Sequence, residues 1–176
     1  MTDSHLKTIL FTDIVSFTEI TQRIGDKEAQ KLLKFHNKIV RDALKIYGGK
    51  EIKHTGDGIM AYFTSASNSI NCAGYIQKRL NKEKINDFYE DRILLSIGIN
   101  AGEPIVENED LFGTSVQIAA RVCEYAGKGE VLITDVVKQL VDGKKFSLED
   151  KGQVELDGLD EPINLHKLNW KEKILI

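Results

Sequence analysis

Apolar positions along the first half of the chain alternate between two spacings. Residues 6–13, LKTILFTD, form a short apolar run rich in β-formers, which predicts a buried strand ending on a carboxylate. Residues 27–47 switch to helical spacing between Gly-containing ends, so they predict an amphipathic helix. Two strand-like runs, 50–55 and 59–63, follow, and helical spacing returns over 66–80.

The second half repeats this order with shorter elements. Its segments are two strands within 93–106, an acidic loop at 107–110, a helix over 114–126, a strand at 130–134, a short helix near Asp135, and a β-rich tail through 146–158 and 163–170. The charged run 81–92 predicts a solvated connection between the halves. The order is βαββαβ with a small C-terminal αβ extension, which predicts a ferredoxin-like α+β fold.

This order of elements brings two distant carboxylates together. A right-handed crossover makes the first two strands parallel, with the hairpin strand inserted between them. Asp13 at the end of the first strand then lies beside Asp57, which stands between two glycines in the hairpin. Two carboxylates at one sheet edge suit Mg²⁺, but Asp before Gly is also a common turn pair. The spacing alone leaves both interpretations open.

Composition narrows the function classes. The chain has 176 residues, 41% hydrophobic and 29% charged, which predicts one globular domain over 1–176. Its net charge of -3 offers no basic field for a nucleic acid. Cys72 and Cys123 lack the spacing of a zinc site. No apolar run is long enough for a membrane span, so we expect a cytoplasmic protein without direct membrane insertion, or the cytosolic domain of a larger one.

Four linked motifs carry a resemblance to a known family. The segments are ILFTDIVSFTEI, GGKEIKHTGDGIMAYF, SIGINAGEPI and FGTSVQIAARV, and the resemblance runs from about Lys7 to Leu168. In this order and spacing they resemble the catalytic domain of the class III adenylate and guanylate cyclases, in its short bacterial branch. The resemblance implies a palm-type cyclase domain that makes a cyclic nucleotide and pyrophosphate.

The resemblance also implies roles for individual residues. Asp13 and Asp57 match the aspartates that hold two Mg²⁺ or Mn²⁺ ions, and Ile14 supplies a backbone carbonyl. Lys53 and Asp110 match the pair that reads adenine, so the family pattern implies ATP rather than GTP. On the predicted strand, Lys53 faces away from Ile52, and His54 shares the Ile52 face.

The predicted helix over 114–126 carries one residue that matches the family pattern and one that departs from it. The C-terminal tail carries a second departure. Arg121 matches the arginine that stabilises the transition state. Gln117 stands where the best-known cyclases have a ribose-orienting asparagine, one methylene shorter. Asp157 stands where many relatives have a lysine that grips the triphosphate, and an aspartate there would repel phosphate.

The resemblance further implies a homodimer with shared active sites. Asp57 would serve one site of the dimer and Lys53 the other. The leading expectation is an adenylate cyclase; the alternatives are a cyclase for GTP or a pyrimidine nucleotide, or a weakly active cyclase-fold module for nucleotide sensing or dimerisation. A regulatory domain outside this chain is a further expected partner.

Overall fold

The computed structural model describes residues 5–82 and 93–171. Its strands are β1 Lys7–Ile14, β2 Lys50–His54, β3 Ile59–Phe63, β4 Leu95–Gly102, β5 Ile105–Glu107, β6 Asp110–Phe112, β7 Val131–Thr134, β8 Leu148–Val154 and β9 Ile163–Leu168. Its helices are α1 Phe17–Ile24, α2 Asp26–Tyr47, α3 Ala66–Lys82, α4 Thr114–Tyr125 and α5 Asp135–Leu140. The expected elements are present; α1 and β6 are additional. The predicted connection over 81–92 lies outside the described residues from position 83 onward.

Seven strands form one mixed sheet in the order β2-β3-β1-β4-β7-β9-β8. Strand β3 pairs antiparallel with both β1 and β2, so β1 and β2 are parallel with the hairpin strand between them, as the split βαβ arrangement predicts. Strand β4 pairs antiparallel with β1 and parallel with β7. The predicted α+β core is therefore confirmed, and the end of β1 lies next to the β2–β3 hairpin.

Alternate residues of β1 pack on opposite faces of the sheet. Leu10 belongs to the main hydrophobic cluster, which also holds Leu32 and Ile39 of α2 and residues of α3. Phe11 belongs to a second cluster with Cys123 of α4. Helices α2 and α3 therefore cover one face, and α4 covers the other, where Lys53, Asp110 and Arg121 are expected to act.

The two glycines around Asp57 have different functions in the hairpin turn. Gly56 has a φ of 67°, which favours glycine, whereas Asp57 and Gly58 lack a positive φ. A Cβ on Gly58 would lie 1.6 Å from the carbonyl oxygen of Thr12. Gly56 is needed for its backbone conformation, whereas Gly58 is needed because β1 lies against it.

A β-bulge in β2 changes the predicted directions of its side chains. The β2–β3 register shifts between Glu51 and Lys53, so Ile52 is the extra residue. Lys53 is paired with Met60, and Ile52 packs in the same cluster as Met60, so both are on the α4 face. His54 is on the α2 face, where its Nε2 accepts a 2.8 Å hydrogen bond from Arg41. The expectation that Lys53 faces away from Ile52, and that His54 shares its face, was wrong.

The predicted acidic loop is a tight turn between two short strands. β5 and β6 form a two-stranded sheet of their own, with Ile105 paired with Phe112. The turn residues Asn108 and Glu109 have φ values of 51° and 59°, as a type I′ turn requires at both central positions. The turn fixes Asp110 as the first residue of β6, so its carboxylate starts from a regular strand.

Candidate functional site

Asp13 and Asp57 are neighbours at the edge where β1 meets the β2–β3 hairpin. Both side chains are half-buried. Burial raises the pKa of Asp13, and the nearby carboxylates of Asp57 and Glu124 raise it further. Burial also raises the pKa of Asp57. The charged forms of both carboxylates are thus disfavoured in the chain alone, and a divalent cation would relieve this by supplying the missing positive charge.

This donor set fits a hard divalent cation. Mg²⁺ is usually held by one or two carboxylates together with substrate phosphates, rather than by a complete protein cage. Among the residues that the structure describes, no group of three or more His, Cys, Asp or Glu side chains could hold a metal. Ile14, the third expected ligand, is buried, and its backbone N–H donates to the Asp13 carboxylate, which lowers the pKa of that carboxyl and partly opposes the effect of burial.

Lys53 and Asp110 meet across two sheets. The Lys53 ammonium donates a 2.8 Å hydrogen bond to Oδ2 of Asp110, and it also lies 5.7 Å from the centre of the Phe112 ring. The Leu111 N–H donates to the other Asp110 oxygen at 2.7 Å. Lys53 and then the Leu111 amide hold the pKa of Asp110 below its usual range. A donor and an acceptor are therefore presented side by side, both partly exposed.

Arg121 lies on the exposed side of α4. Its guanidinium donates a 2.9 Å hydrogen bond to Glu124, three residues later on the same helix. Glu124 is also near enough to Asp13 to raise the pKa of that carboxyl. Glu124 therefore pairs with the expected transition-state arginine and also lies within electrostatic range of Asp13. Glu124 could not be assigned from the sequence, because its spacing from Arg121 only marks a helical neighbour.

Gln117 and Asp157 line the same cleft as Arg121. One cleft of about 230 Å³ is formed by these residues with Glu124 and Leu159 among others. A second cleft, of about 190 Å³, adjoins Arg121, Glu124 and Asp157. Both are smaller than the roughly 300–1,000 Å³ of typical ligand pockets. Neither cleft of a single chain therefore has, by itself, the volume of a typical small-molecule site.

A larger cavity lies elsewhere and shares no residue with these clefts. It measures about 430 Å³ and is lined by Tyr47, Tyr75, Phe146 and Trp170 among others. None of the predicted site residues borders it. In the part of the chain that is described, no helix has both the length and the apolar character needed to cross a bilayer.

Two buried polar residues near the carboxylates were also not assigned from the sequence. Thr12 and His36 are 1% and 0% exposed, and Thr12 Oγ1 lies 3.3 Å from His36 Nε2. A signal was present for His36, because it lies one turn after Leu32 on the apolar stripe of α2. A polar residue on such a stripe needs a buried partner.

Comparison with known proteins adds a family match over nearly the whole chain. The sequence model described as the adenylate and guanylate cyclase catalytic domain matches residues 2–169. A Rhizobium meliloti (strain 1021) protein with the provisional name adenylate cyclase 3 is 32% identical over 171 residues. That alignment covers 96% of this chain and 29% of the relative, so this chain spans less than a third of that relative's length.

Solved structures share the fold. A structure of adenylate cyclases from Trypanosoma brucei in their monomeric state has a TM-score of 0.87 at 19% identity, covering 96% of this chain and 92% of that one. An adenylate/guanylate cyclase/hydrolase from Silicibacter pomeroyi has a TM-score of 0.78 at 28% identity, covering 93% and 95%. The palm-type arrangement expected from the sequence is therefore confirmed.

Proposed function

The chain belongs to the adenylate and guanylate cyclase catalytic domain family, and on that premise we propose that it converts ATP to 3′,5′-cyclic AMP and pyrophosphate. The observation that carries the choice of adenine is the ion pair between Lys53 and Asp110. An ammonium can donate to an adenine ring nitrogen, while a carboxylate accepts from the exocyclic amine. Guanine has a carbonyl in that place, which a carboxylate would repel.

Asp13 and Asp57, with the Ile14 carbonyl, would hold two Mg²⁺ or Mn²⁺ ions. When bound, such ions lower the pKa of the ribose 3′-hydroxyl and neutralise charge on the triphosphate. The raised pKa values of the two carboxyls support this role, because they indicate carboxylates whose charge is uncompensated in the chain alone.

Arg121 would stabilise the charge that develops on the α-phosphate during attack by the 3′-hydroxyl. Its guanidinium already forms a hydrogen bond with one carboxylate oxygen of Glu124, a group of the same charge as phosphate. The cleft that Gln117 shares with Arg121 supports Gln117 as a contact to the sugar. Its amide lies one methylene further from the backbone than that of asparagine. Asp157 borders that cleft, so the triphosphate requires another cation in its place.

The active form would be a symmetric homodimer with two shared sites. The incomplete clefts around Arg121 support a second chain as the missing wall. The β5–β6 hairpin supports it independently, because Ile105 and Phe112, which are paired across the hairpin and so share a face, are 63% and 46% exposed. Exposed apolar clusters of this kind are typical of association surfaces. In this dimer Asp57 and Lys53 of one chain serve different sites.

A second candidate is a weakly active module that binds nucleotide and dimerises. The favouring observation is that Glu124 and Asp157 border the clefts next to Arg121. Two carboxylates there oppose a triphosphate, whereas the paired Lys53 and Asp110 would still read a base. A cyclase for GTP or a pyrimidine nucleotide is the alternative within the enzymes.

The deciding experiment compares turnover of ATP, GTP, CTP and UTP with Mg²⁺ and with Mn²⁺, following pyrophosphate release. We expect ATP to be preferred and Asp57→Ala to abolish the signal. Dominant turnover of another nucleotide would overturn the ATP assignment. Binding of an ATP analogue without pyrophosphate release would favour the module.

The shared site has its own test. A mixture of Asp57→Ala and Arg121→Ala chains should regain activity, because a hybrid dimer contains one intact site. Absence of any recovery, in mixtures shown to exchange subunits, would argue against shared sites.

A further inference from the structure

A buried hydroxyl connects the two backbone segments that carry Asp13 and Asp57. Thr12 immediately precedes Asp13, and its Oγ1 accepts a 3.1 Å hydrogen bond from the Ile59 N–H. Ile59 is two residues after Asp57. The paired residues of β1 and β3 run only as far as Phe11 and Met60. The Thr12 side chain thus supplies the next contact between these strands, at the level of the carboxylates.

The same point is held by close backbone packing. Gly58, between Asp57 and Ile59, lies so near the Thr12 carbonyl that a Cβ would be 1.6 Å from its oxygen. Thr12 therefore contacts the hairpin twice, through its carbonyl against Gly58 and through its hydroxyl to Ile59. A shift of the hairpin relative to β1 would break both contacts.

His36 completes this network from α2. Its Nδ1 lies 3.0 Å from Asn37 Oδ1, and its Nε2 lies 3.3 Å from Thr12 Oγ1. The amide oxygen of Asn37 can only accept, so Nδ1 carries the proton and Nε2 is left as an acceptor. The Thr12 hydroxyl then donates to His36 while its oxygen accepts from Ile59. Full burial lowers the pKa of His36 to about 4, in keeping with this neutral form.

We propose that Thr12 and His36 are positioning residues, which fix the separation and orientation of Asp13 and Asp57 for binding a divalent cation. This inference rests on the proposed function, in which those carboxylates hold the ions. Sites of this kind tolerate displacements of only about 0.5 Å, and groups that orient the ligands typically change metal affinity about 10- to 100-fold. Satisfied buried networks of this kind are rigid.

The test uses Mn²⁺ alone as the probe and the full chain. Mn²⁺ is titrated while its paramagnetic broadening of the Ile14 and Gly58 backbone amide resonances is recorded, which gives a binding midpoint without any turnover. Thr12→Val keeps the shape of the side chain and removes the hydroxyl. We expect Thr12→Val to raise the Mn²⁺ concentration at the binding midpoint about tenfold or more. Thr12→Ser should restore the wild-type midpoint.

The matched control is Thr134→Val. Thr134 is also a buried threonine, and its hydroxyl donates a 2.7 Å hydrogen bond to Asn100, away from the carboxylates. We expect this variant to lose comparable stability and to keep the wild-type Mn²⁺ midpoint. Equal midpoints for Thr12→Val and Thr134→Val would overturn the inference. Should Thr12→Val not fold, His36→Phe removes the acceptor and keeps a ring, and an unchanged midpoint there would overturn it equally.

One further variant separates failure of this inference from failure of the proposed metal site. If Asp57→Asn abolishes the broadening and Thr12→Val does not change it, only the positioning role is wrong. If Asp57→Asn also leaves the midpoint unchanged, the carboxylates do not hold the ion, and the proposed site and the positioning role are both wrong.

Discussion

The Lys53 ammonium and the Asp110 carboxylate lie 2.8 Å apart, although 57 positions separate them in the chain. Lys53 stands just after the bulge in β2, and Asp110 follows the tight turn at the start of β6. Two local irregularities, one in each sheet, thus bring the pair together. In the proposed function, an adenine base would meet a donor and an acceptor whose relative positions are already set.

We expect Asp110→Asn to reduce the preference for ATP over GTP by about 10- to 100-fold, because a hydrogen bond to a charged group contributes about 1.5–3 kcal/mol. An amide can also turn its NH₂ group toward the guanine carbonyl. The measurement is the ratio of kcat/KM for the two nucleotides. Glu107→Gln removes a carboxylate from the other strand of the same hairpin and serves as control; an equal loss of preference there would contradict the assignment.

Replacement of Asp57 by Asn should separate stability from activity. The pKa of Asp57 is raised by burial, so its charged form opposes folding at neutral pH, and we expect the metal-free variant to have a higher Tm. Activity should fall at least about 100-fold, because a bound metal ion contributes several kcal/mol by stabilising the charge of the transition state. Thermal unfolding in a chelator and pyrophosphate release are the two measurements. A lower Tm would indicate that the carboxylate is already compensated within the chain.

Gly58→Ala tests the contact between the hairpin and β1. The added Cβ would meet the Thr12 carbonyl, so we expect a loss of about 1–3 kcal/mol or more in the free energy of unfolding. Gly74→Ala, in α3, is the control, because a Cβ there would meet Leu168 and Trp170 at the ordinary contact distances of 3.7 and 3.8 Å. That substitution should be neutral or stabilise by about 0.5–1 kcal/mol. Urea unfolding gives the free energy of unfolding of both variants. Similar losses in the two would contradict this prediction.

The β5–β6 hairpin should control oligomeric state. Ile105→Asp places a charge in the exposed apolar cluster with Phe112, so we expect dimers to dissociate and activity to fall. Ile46→Asp is the matched control, because Ile46 is similarly exposed, at 57%, on α2. Sedimentation velocity gives the molecular mass of each variant. Dimers that persist in Ile105→Asp, or dissociate equally in Ile46→Asp, would place the association surface elsewhere.

Stability should fall as pH falls from about 6.5 toward 4, because His36 is neutral in the folded chain. Burial lowers its pKa to about 4, with smaller lowering from His54 and Arg41, and the hydrogen bond that His36 donates to Asn37 opposes this lowering. In that range the unfolded chain binds a proton that the folded chain does not, at a slope of up to about 1.4 kcal/mol per pH unit. The raised pKa values of Asp13 and Asp57 act in the opposite direction.

To isolate His36, the free energy of unfolding is measured by urea unfolding at several pH values for the wild type and for His36→Gln. The slope of this free energy against pH in the variant is then subtracted from the slope in the wild type. We expect the variant to lose the extra slope between pH 6.5 and 4. An unchanged slope would show that His36 is not the group responsible.

The order of elements, and with it the meeting of Asp13 and Asp57, could be predicted from the sequence alone. The periods of the apolar positions differ between strands and helices, and the right-handed crossover leaves few ways to join a βαββ unit. The two glycines around Asp57 predict a turn with positive φ angles at both, and the structure has a positive φ at Gly56 but not at Gly58. The four motifs added the family, and the palm-type fold agrees with it.

Only the tertiary structure decided where individual side chains point. The bulge at Ile52 put Lys53 on the opposite face from the one that simple alternation predicts, because one extra residue reverses every later side chain. Gly58 is needed because of a backbone 46 positions earlier, and Glu124 lies near Asp13 because α4 packs on β1. Such contacts depend on distances between elements, whereas the periodicity of a sequence describes each element by itself.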